Sequence, residues 1–336
     1  MAPRRSLLRW LRPVALIGGL LAFALVARQL GWQGLTRVLV ETGPWFLVIA
    51  AIDVGSALCD AAGIRSFARA HAEVPYGRAL AAQLGGVAIN RLTPGSALGE
   101  PVKVSMLVEH IPRASAVSTI LMFDVTATCV AIAVIVVGVP LTLVVTELPA
   151  PLALIAWIGA GALVGFAVTL ALLVRRGVLA SLIAVLARLR IVARGRADAW
   201  TIAVADIDAM VAELGRGPSR RAIGWLISSR TLNCVGTVVL LHAADLPITA
   251  PLVIGLLSVG LLVQWVANIV PLGLGLADGG NYLLYAALGA PAAAGLDFTM
   301  VHRARNIVIA AIGLTVLAAT SLVDRRRRRR RRQGSP

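Results

Sequence analysis

Apolar residues run along this chain in long stretches with no two-residue alternation, the pattern that separates transmembrane helices from strands and from helices with one wet face. Six stretches have about the 20 residues needed to cross a bilayer core. They cover 13–30, 44–64, 115–138, 151–174, 222–243 and 299–323. Two more, near 79–110 and 250–292, are apolar but interrupted by Pro, Gly and charged residues. The pattern predicts an all-α polytopic membrane protein with about six full transmembrane helices and two re-entrant, broken-helix hairpins. A transmembrane β-barrel would alternate at every second residue.

Arginine placement predicts the orientation, because basic residues stay on the cytoplasmic side. Arg4, Arg5, Arg9 and Arg12 precede the first run; Arg65, Arg69 and Arg78 follow the second. Arg175, Arg176, Arg188, Arg190, Arg194 and Arg196 follow the fourth, and Arg216, Arg220 and Arg221 precede the fifth. The segments 139–150 and 244–250 carry Glu147 and Asp245 and no basic residue, which puts them outside. Both termini are then cytoplasmic, provided that each broken stretch enters and leaves on one side. The N-terminal cluster and the run from Val14 look like a signal peptide. No small-residue cleavage site follows before Arg28, so the run is read as an uncleaved first helix. The segment 178–215 repeats apolar positions at helical spacing among arginines, which suits amphipathic helices lying on the inner face.

The two broken stretches match each other. "VAINRLTPGSALGEP" (87–101) and "WVANIVPLGLGLADGG" (265–280) each run from an Asn through a Pro and a glycine-rich turn to a carboxylate. The first supplies Asn90, Arg91, Pro94, Gly95, Gly99, Glu100 and Lys103; the second supplies Asn268, Pro271, Gly273, Gly275 and Asp278. Each leads to a second Pro (Pro112, Pro291) and a full span with an ionisable group, Asp124 in one and His302 with Arg303 in the other. Opening to opposite sides, they form an inverted repeat, with pseudo-repeats at about 44–174 and 220–323 in a single membrane domain spanning 1–336. Such repeats place substrate at the midplane where helices break. The broken backbone must face protein or water, and a half-helix N-terminus suits an anion such as a phosphate. The alternative is that Glu100 and Asp278 only cap the half-helices.

"NRLTPGSALGEPVKVSMLVEH" with "FDV" downstream, and "NIVPLGLGLADGGNYLLYAALG" with "HRARN" downstream, resemble the transmembrane domain of lysylphosphatidylglycerol synthases, over roughly 10–323. That family also includes stand-alone flippase-like membrane proteins. The resemblance implies a protein that moves a lipid, or a lipid-linked headgroup, between leaflets of a bacterial-type inner membrane. The family's Pro-Gly-(x)-Gly-Glu pattern falls on Pro94, Gly95, Gly99 and Glu100. The second copy is looser, with Leu272 after Pro271 and Asp278 where Glu is usual. Full-length synthases carry a cytosolic domain that transfers lysine from a charged tRNA. None follows the arginine tail here, so that activity is not expected to carry over.

Charge within the bilayer narrows the site. Arg230 lies mid-span beside Ser228, Ser229 and Asn233, and Asp53 and Asp60 are seven apart on one helical face. The economical reading pairs Arg230 or Arg303 with Asp53, Asp60 or Asp124. Arginine suits bidentate phosphate recognition, so Arg91, Arg230 and Arg303 are the cationic candidates. Lys103, the one lysine, falls a turn after Glu100 and either neutralises it or contacts a headgroup. Glu100, Asp278 and Asp124 would couple a proton or hold the arginines.

Composition agrees: 58% of the 336 residues are hydrophobic and the mean hydropathy is +0.86, against about 45–50% apolar in soluble domains. Eight of the +16 charges are the run Arg325 to Arg332, leaving +8 on the rest. That tail follows a span and reads as an anchor on anionic lipid, so no nucleic-acid partner is expected. Cys59, Cys129 and Cys234 have neither zinc nor disulfide spacing, and no metal, cofactor or enzymatic activity is expected. "GLGLADGG" lacks the βαβ context of a phosphate loop. The expected function is translocation of a lipid with an anionic headgroup. The alternatives are an ion-coupled transporter of a polar small molecule and a non-transporting partner of a lipid-modifying enzyme.

Overall fold

The computed structural model describes residues 12–21, 23–24, 40, 42–68, 73–93, 98–146, 150–176, 220–267, 270 and 275–333. The amphipathic segment expected at 178–215 lies outside them, as do Pro94, Gly95, Asn268, Pro271 and Gly273. The described chain is helical: α1 (Arg12–Leu21), α2 (Trp45–Ala68), α3 (Tyr76–Leu92), α4 (Gly99–Leu107), α5 (Arg113–Val145), α6 (Ala150–Arg176), α7 (Arg220–Ala243), α8 (Ala250–Ala267), α9 (Leu276–Ala287) and α10 (Ala292–Gln333). Among the described residues five helices are long and apolar enough to cross a membrane: α2, α5, α7, α8 and α10 over Ala292–Asp324. Four of these are expected spans. The run 151–174 forms α6, and 13–30 is described chiefly over α1. The fifth, α8, belongs to the second broken stretch. It reaches 18 residues because its apolar pattern is not interrupted until after Ala267.

Prolines set where the helices stop. Pro75 and Pro112 sit at the N-caps of α3 and α5, positions where their missing N–H is not needed by the helix. Thr93, at the C-terminus of α3, is extended (φ −115°, ψ 143°), the conformation favoured before a proline. Its hydroxyl donates to the Ile89 carbonyl at 2.8 Å, so one freed carbonyl of the helix end is satisfied inside the protein.

α3 and α4 form one antiparallel hairpin. Asn90 meets Gly99 at its tip, and Arg78 meets Glu109 at its feet with Nη2–Oε2 of 2.5 Å. α8 and α9 form a second: Gly260 faces Leu284 and Gly255 faces Leu288. The two hairpins sit at opposite ends of the bundle. The first packs with the C-terminal parts of α2 and α10 and the N-terminal part of α7, through Ile64, Phe67, Met106, Phe123, Leu226 and Leu317. The second packs with the other ends of the same three helices, through Phe46, Ile49, Leu240, Tyr285 and Phe298. The C-terminal ends of α3 and α8 come to one cavity between them.

Between the hairpins, small residues let helices approach. Ser56 and Ser229 hydroxyls lie 2.9 Å apart across α2 and α7, with Asn233 Nδ2 donating to Ser56 Oγ at 2.9 Å. Gly313 of α10 lies so close to the Leu84 carbonyl of α3 that an added Cβ would collide with backbone. Interhelical polar contacts and small residues of this kind hold helices together where lipid offers no hydrophobic drive. Leu47, Val137, Leu154, Trp157, Phe166 and Ile227 are exposed on the outer faces, as a bundle solvated by acyl chains requires.

One end carries a charge network that sequence reading did not find. Arg12 Nη1 lies 3.1 Å from both Glu109 Oε1 and Asp324 Oδ2, and Arg78 Nη2 lies 2.7 Å from Asp324 Oδ1. Arg12 Nε also donates to Ser105 Oγ at 3.0 Å. α1, both feet of the first hairpin and α10 are thus tied together. Burial opposes the Arg78 charge, but hydrogen bonding and attraction from Asp324 and Glu109 outweigh it and hold its pKa above the ordinary value.

This arrangement places Glu73 and His110 at one end and Asp245 at the other. In a background without Cys59, Cys129 and Cys234, the single substitutions Glu73→Cys and His110→Cys are expected to react with an impermeant thiol reagent from the same membrane face. Asp245→Cys is expected to react from the opposite face. Labelling of positions 73 and 110 from different faces would contradict the hairpin.

Candidate functional site

A cavity of about 330 Å³ lies between the hairpin tips, within the range of small-ligand sites. α3 contributes Asn90, Arg91 and Thr93 from the first tip, and α8 with Val270 contributes Gln264 and Trp265 from the second. The middle of α7 presents Arg230, Asn233 and Thr237, and the middle of α10 presents His302, Arg305 and Asn306. Ala131 and Val134 of α5 close one wall.

The wall is cationic. Arg305, 5% exposed, makes a bidentate pair with buried Asp53: Nε to Oδ2 is 2.6 Å and Nη2 to Oδ1 is 2.5 Å. Arg91 donates from Nη1 to the neutral Asn306 Oδ1. Among the described residues Arg230 has no ion-pair partner, and its buried Nε has no hydrogen-bond partner. A buried donor left unpaired costs about 1–3 kcal/mol, and Arg230 Nε is such a donor among the described residues.

Two paired clusters stand behind the tips. In the first, Lys103, 3% exposed, lies 3.0 Å from Glu100 Oε1 and 3.7 Å from Asp124 Oδ1. Asn90 links this cluster to the cavity. Its Nδ2 donates to Glu100 Oε1 at 2.9 Å, and its Oδ1 accepts from Gly99 N at 2.6 Å. The first described N–H of α4 is therefore capped by an amide from the opposite arm. An alanine at position 99 would drive its Cβ against the Gly86 carbonyl and Asn90. In the second cluster, Asp278 Oδ2 accepts from Gly275 N at 2.9 Å and from Arg303 Nη2 at 2.6 Å. Gly275 has φ +78°, a left-handed conformation that glycine adopts without a steric cost.

Capping thus applies differently to the two carboxylates. Asp278 accepts from the backbone at the start of α9, whereas α4 is capped by Asn90 while Glu100 takes the lysine. Of the expected site residues, Asn90, Arg91 and Arg230 line the cavity. Gly99, Glu100, Lys103, Asp124, Gly275, Asp278 and Arg303 gather in the two clusters.

The expected pairings need correction. Asp53 is held by Arg305, not by Arg230 or Arg303; Arg303 takes Asp278; Asp124 takes Lys103; and Asp60 accepts from Gln83 Nε2 at 2.8 Å. Arg305, Asn306 and Gln264 were not anticipated. The available signal for Arg305 was its place two residues after Arg303, within a span.

Lys103 is the cation shared by Glu100 and Asp124, so Lys103→Met is expected to destabilise the fold by about 3 kcal/mol. That is the lower end of the range for breaking a buried pair, because Glu100 and Asp124 remain partly exposed. Thermal unfolding in detergent measures it, and Glu100→Gln added to Lys103→Met should recover part of the loss. An unchanged melting temperature for Lys103→Met would contradict the cluster.

A model of the family described as the lysylphosphatidylglycerol synthase TM region matches residues 10–331. No curated protein matches the chain, and no solved structure does.

Proposed function

The chain belongs to the lysylphosphatidylglycerol synthase transmembrane-region family and is a multi-pass membrane protein; on that footing we propose that it translocates a lipid, or a lipid-linked anionic headgroup, between membrane leaflets. The observation that carries the proposal is the cavity between the two hairpin tips, with Arg91, Arg230 and Arg305 in its wall. A headgroup would rest there while its acyl chains stay in lipid. In this reading the hairpins are re-entrant halves of an inverted repeat. The α3–α4 hairpin opens to the cytoplasm of a bacterial-type inner membrane and the α8–α9 hairpin opens outward. The end bearing Arg12, Arg78 and Asp324 is then the cytoplasmic one, as is the arginine tail. The role is transport, not catalysis, with membrane lipids as partners and a lipid-modifying enzyme as a further one.

A broken helix suits this work because its loose backbone is tolerated at depth only against protein or water. Two such hairpins at opposite ends give alternating access around a fixed midplane site. The second reading, an ion-coupled transporter of a polar small molecule, is favoured by the modest volume of the cavity.

The test is reconstitution in liposomes with labelled lipids of several headgroup classes. Wild-type protein is expected to move at least one anionic lipid. Arg230→Ala is expected to slow it about tenfold or more, the effect of removing a hydrogen bond to a charged group worth roughly 1.5–3 kcal/mol. If no lipid moves, or Arg230→Ala moves it as fast as wild type, the reading is wrong.

A further inference from the structure

Within the reading of this cavity as a headgroup site, the charges on its wall point further. We infer that the site is built for a dianionic phosphate, such as a phosphate monoester, in preference to the single charge of a phosphodiester. Three arginines line the cavity, Arg91, Arg230 and Arg305. Asp53 is the one carboxylate paired with any of them among the described residues. Two positive charges are therefore left without a carboxylate partner.

No neighbouring acid among the described residues pairs with Arg91 or Arg230, and Asp60 accepts from the neutral Gln83 amide. Glu100 and Asp124 hold Lys103, and Asp278 holds Arg303. Residues 94–97, 268–269 and 271–274 carry no ionisable side chain in the sequence. Arginine keeps its charge at any physiological pH, so the excess is permanent. A ligand with one negative charge would leave one guanidinium without an anionic partner, and a dianion matches both. Arg91 and Arg230 come from different helices, α3 and α7, so two phosphate oxygens would be bound from two sides. The planar fork of each guanidinium is the geometry suited to that contact.

The probes are dihexanoyl phosphatidate, a phosphate monoester, and dihexanoyl phosphatidylglycerol, a diester. Each is titrated onto the detergent-solubilised full chain at pH 8, with matched long-chain lipids followed in liposomes. Phosphatidate is expected to bind about tenfold tighter or more, the effect of one additional charge-assisted contact. Arg230→Gln should shrink that preference to below about threefold, while Arg230→Lys, which keeps the charge, should retain most of it. The second ionisation of a phosphate monoester lies near pH 6, so the preference should fade at pH 5, where both lipids are monoanions. Equal binding at pH 8, or a preference unchanged by Arg230→Gln or undiminished at pH 5, overturns the inference. Selective binding without movement in liposomes would sink the translocation reading and leave the headgroup assignment standing. Movement of both lipids at equal rates would do the reverse.

Discussion

A charged side chain at the centre of a bilayer costs about 2.5–3.5 kcal/mol on insertion scales, and this bundle holds Arg91, Arg230, Arg303, Arg305 and Lys103 within it. The arrangement of the interior follows from that cost. Four of the five cations are given polar partners by other side chains: Asp53 for Arg305, Asp278 for Arg303, Glu100 and Asp124 for Lys103, and Asn306 for Arg91. The pairs are not spread evenly. Carboxylates gather around Lys103 behind the first hairpin tip, and guanidiniums gather around the cavity. Among the described residues, Arg91 and Arg230 on the cavity wall have no carboxylate partner.

The hairpins make this segregation possible. An unbroken helix would carry its side chains straight past the midplane. A break lets α4 return beside α3, so that Asn90 on one arm both caps the other and braces Glu100. Asn90 thereby joins the lysine cluster to the cavity wall. At the far end of the same hairpin the Arg12, Arg78, Glu109 and Asp324 network fixes the feet. The hairpin is thus tied at its feet as well as where Asn90 meets Gly99.

Much of the architecture was legible because its cause is local. Pro94 and Pro271 with their glycines announce breaks, and Pro75 and Pro112 sit at the helix starts found. The run ending at Ala267 belongs to a broken stretch, yet the apolar portion before its break is long enough to span. The pairings were not legible, because they depend on how helices rotate against one another. Arg303 and Arg305 are two residues apart and so point about 200° apart around α10. One meets α9 and the other α2, and nothing in either residue's neighbours says which. The contact of Arg12 with Asp324 joins positions 312 apart in sequence. Its only local hint is an acid placed immediately before eight arginines.

The central claim is that the space between the two tips holds a lipid headgroup. Cryo-electron microscopy of the full chain in nanodiscs containing phosphatidate tests it most directly. The account predicts headgroup density in the cavity, with phosphate oxygens about 3 Å from the guanidiniums of Arg91 and Arg230 and acyl chains leaving between helices. A closed interior in which Arg230 is paired with a carboxylate of the protein, with lipid only on the outer faces, would contradict it.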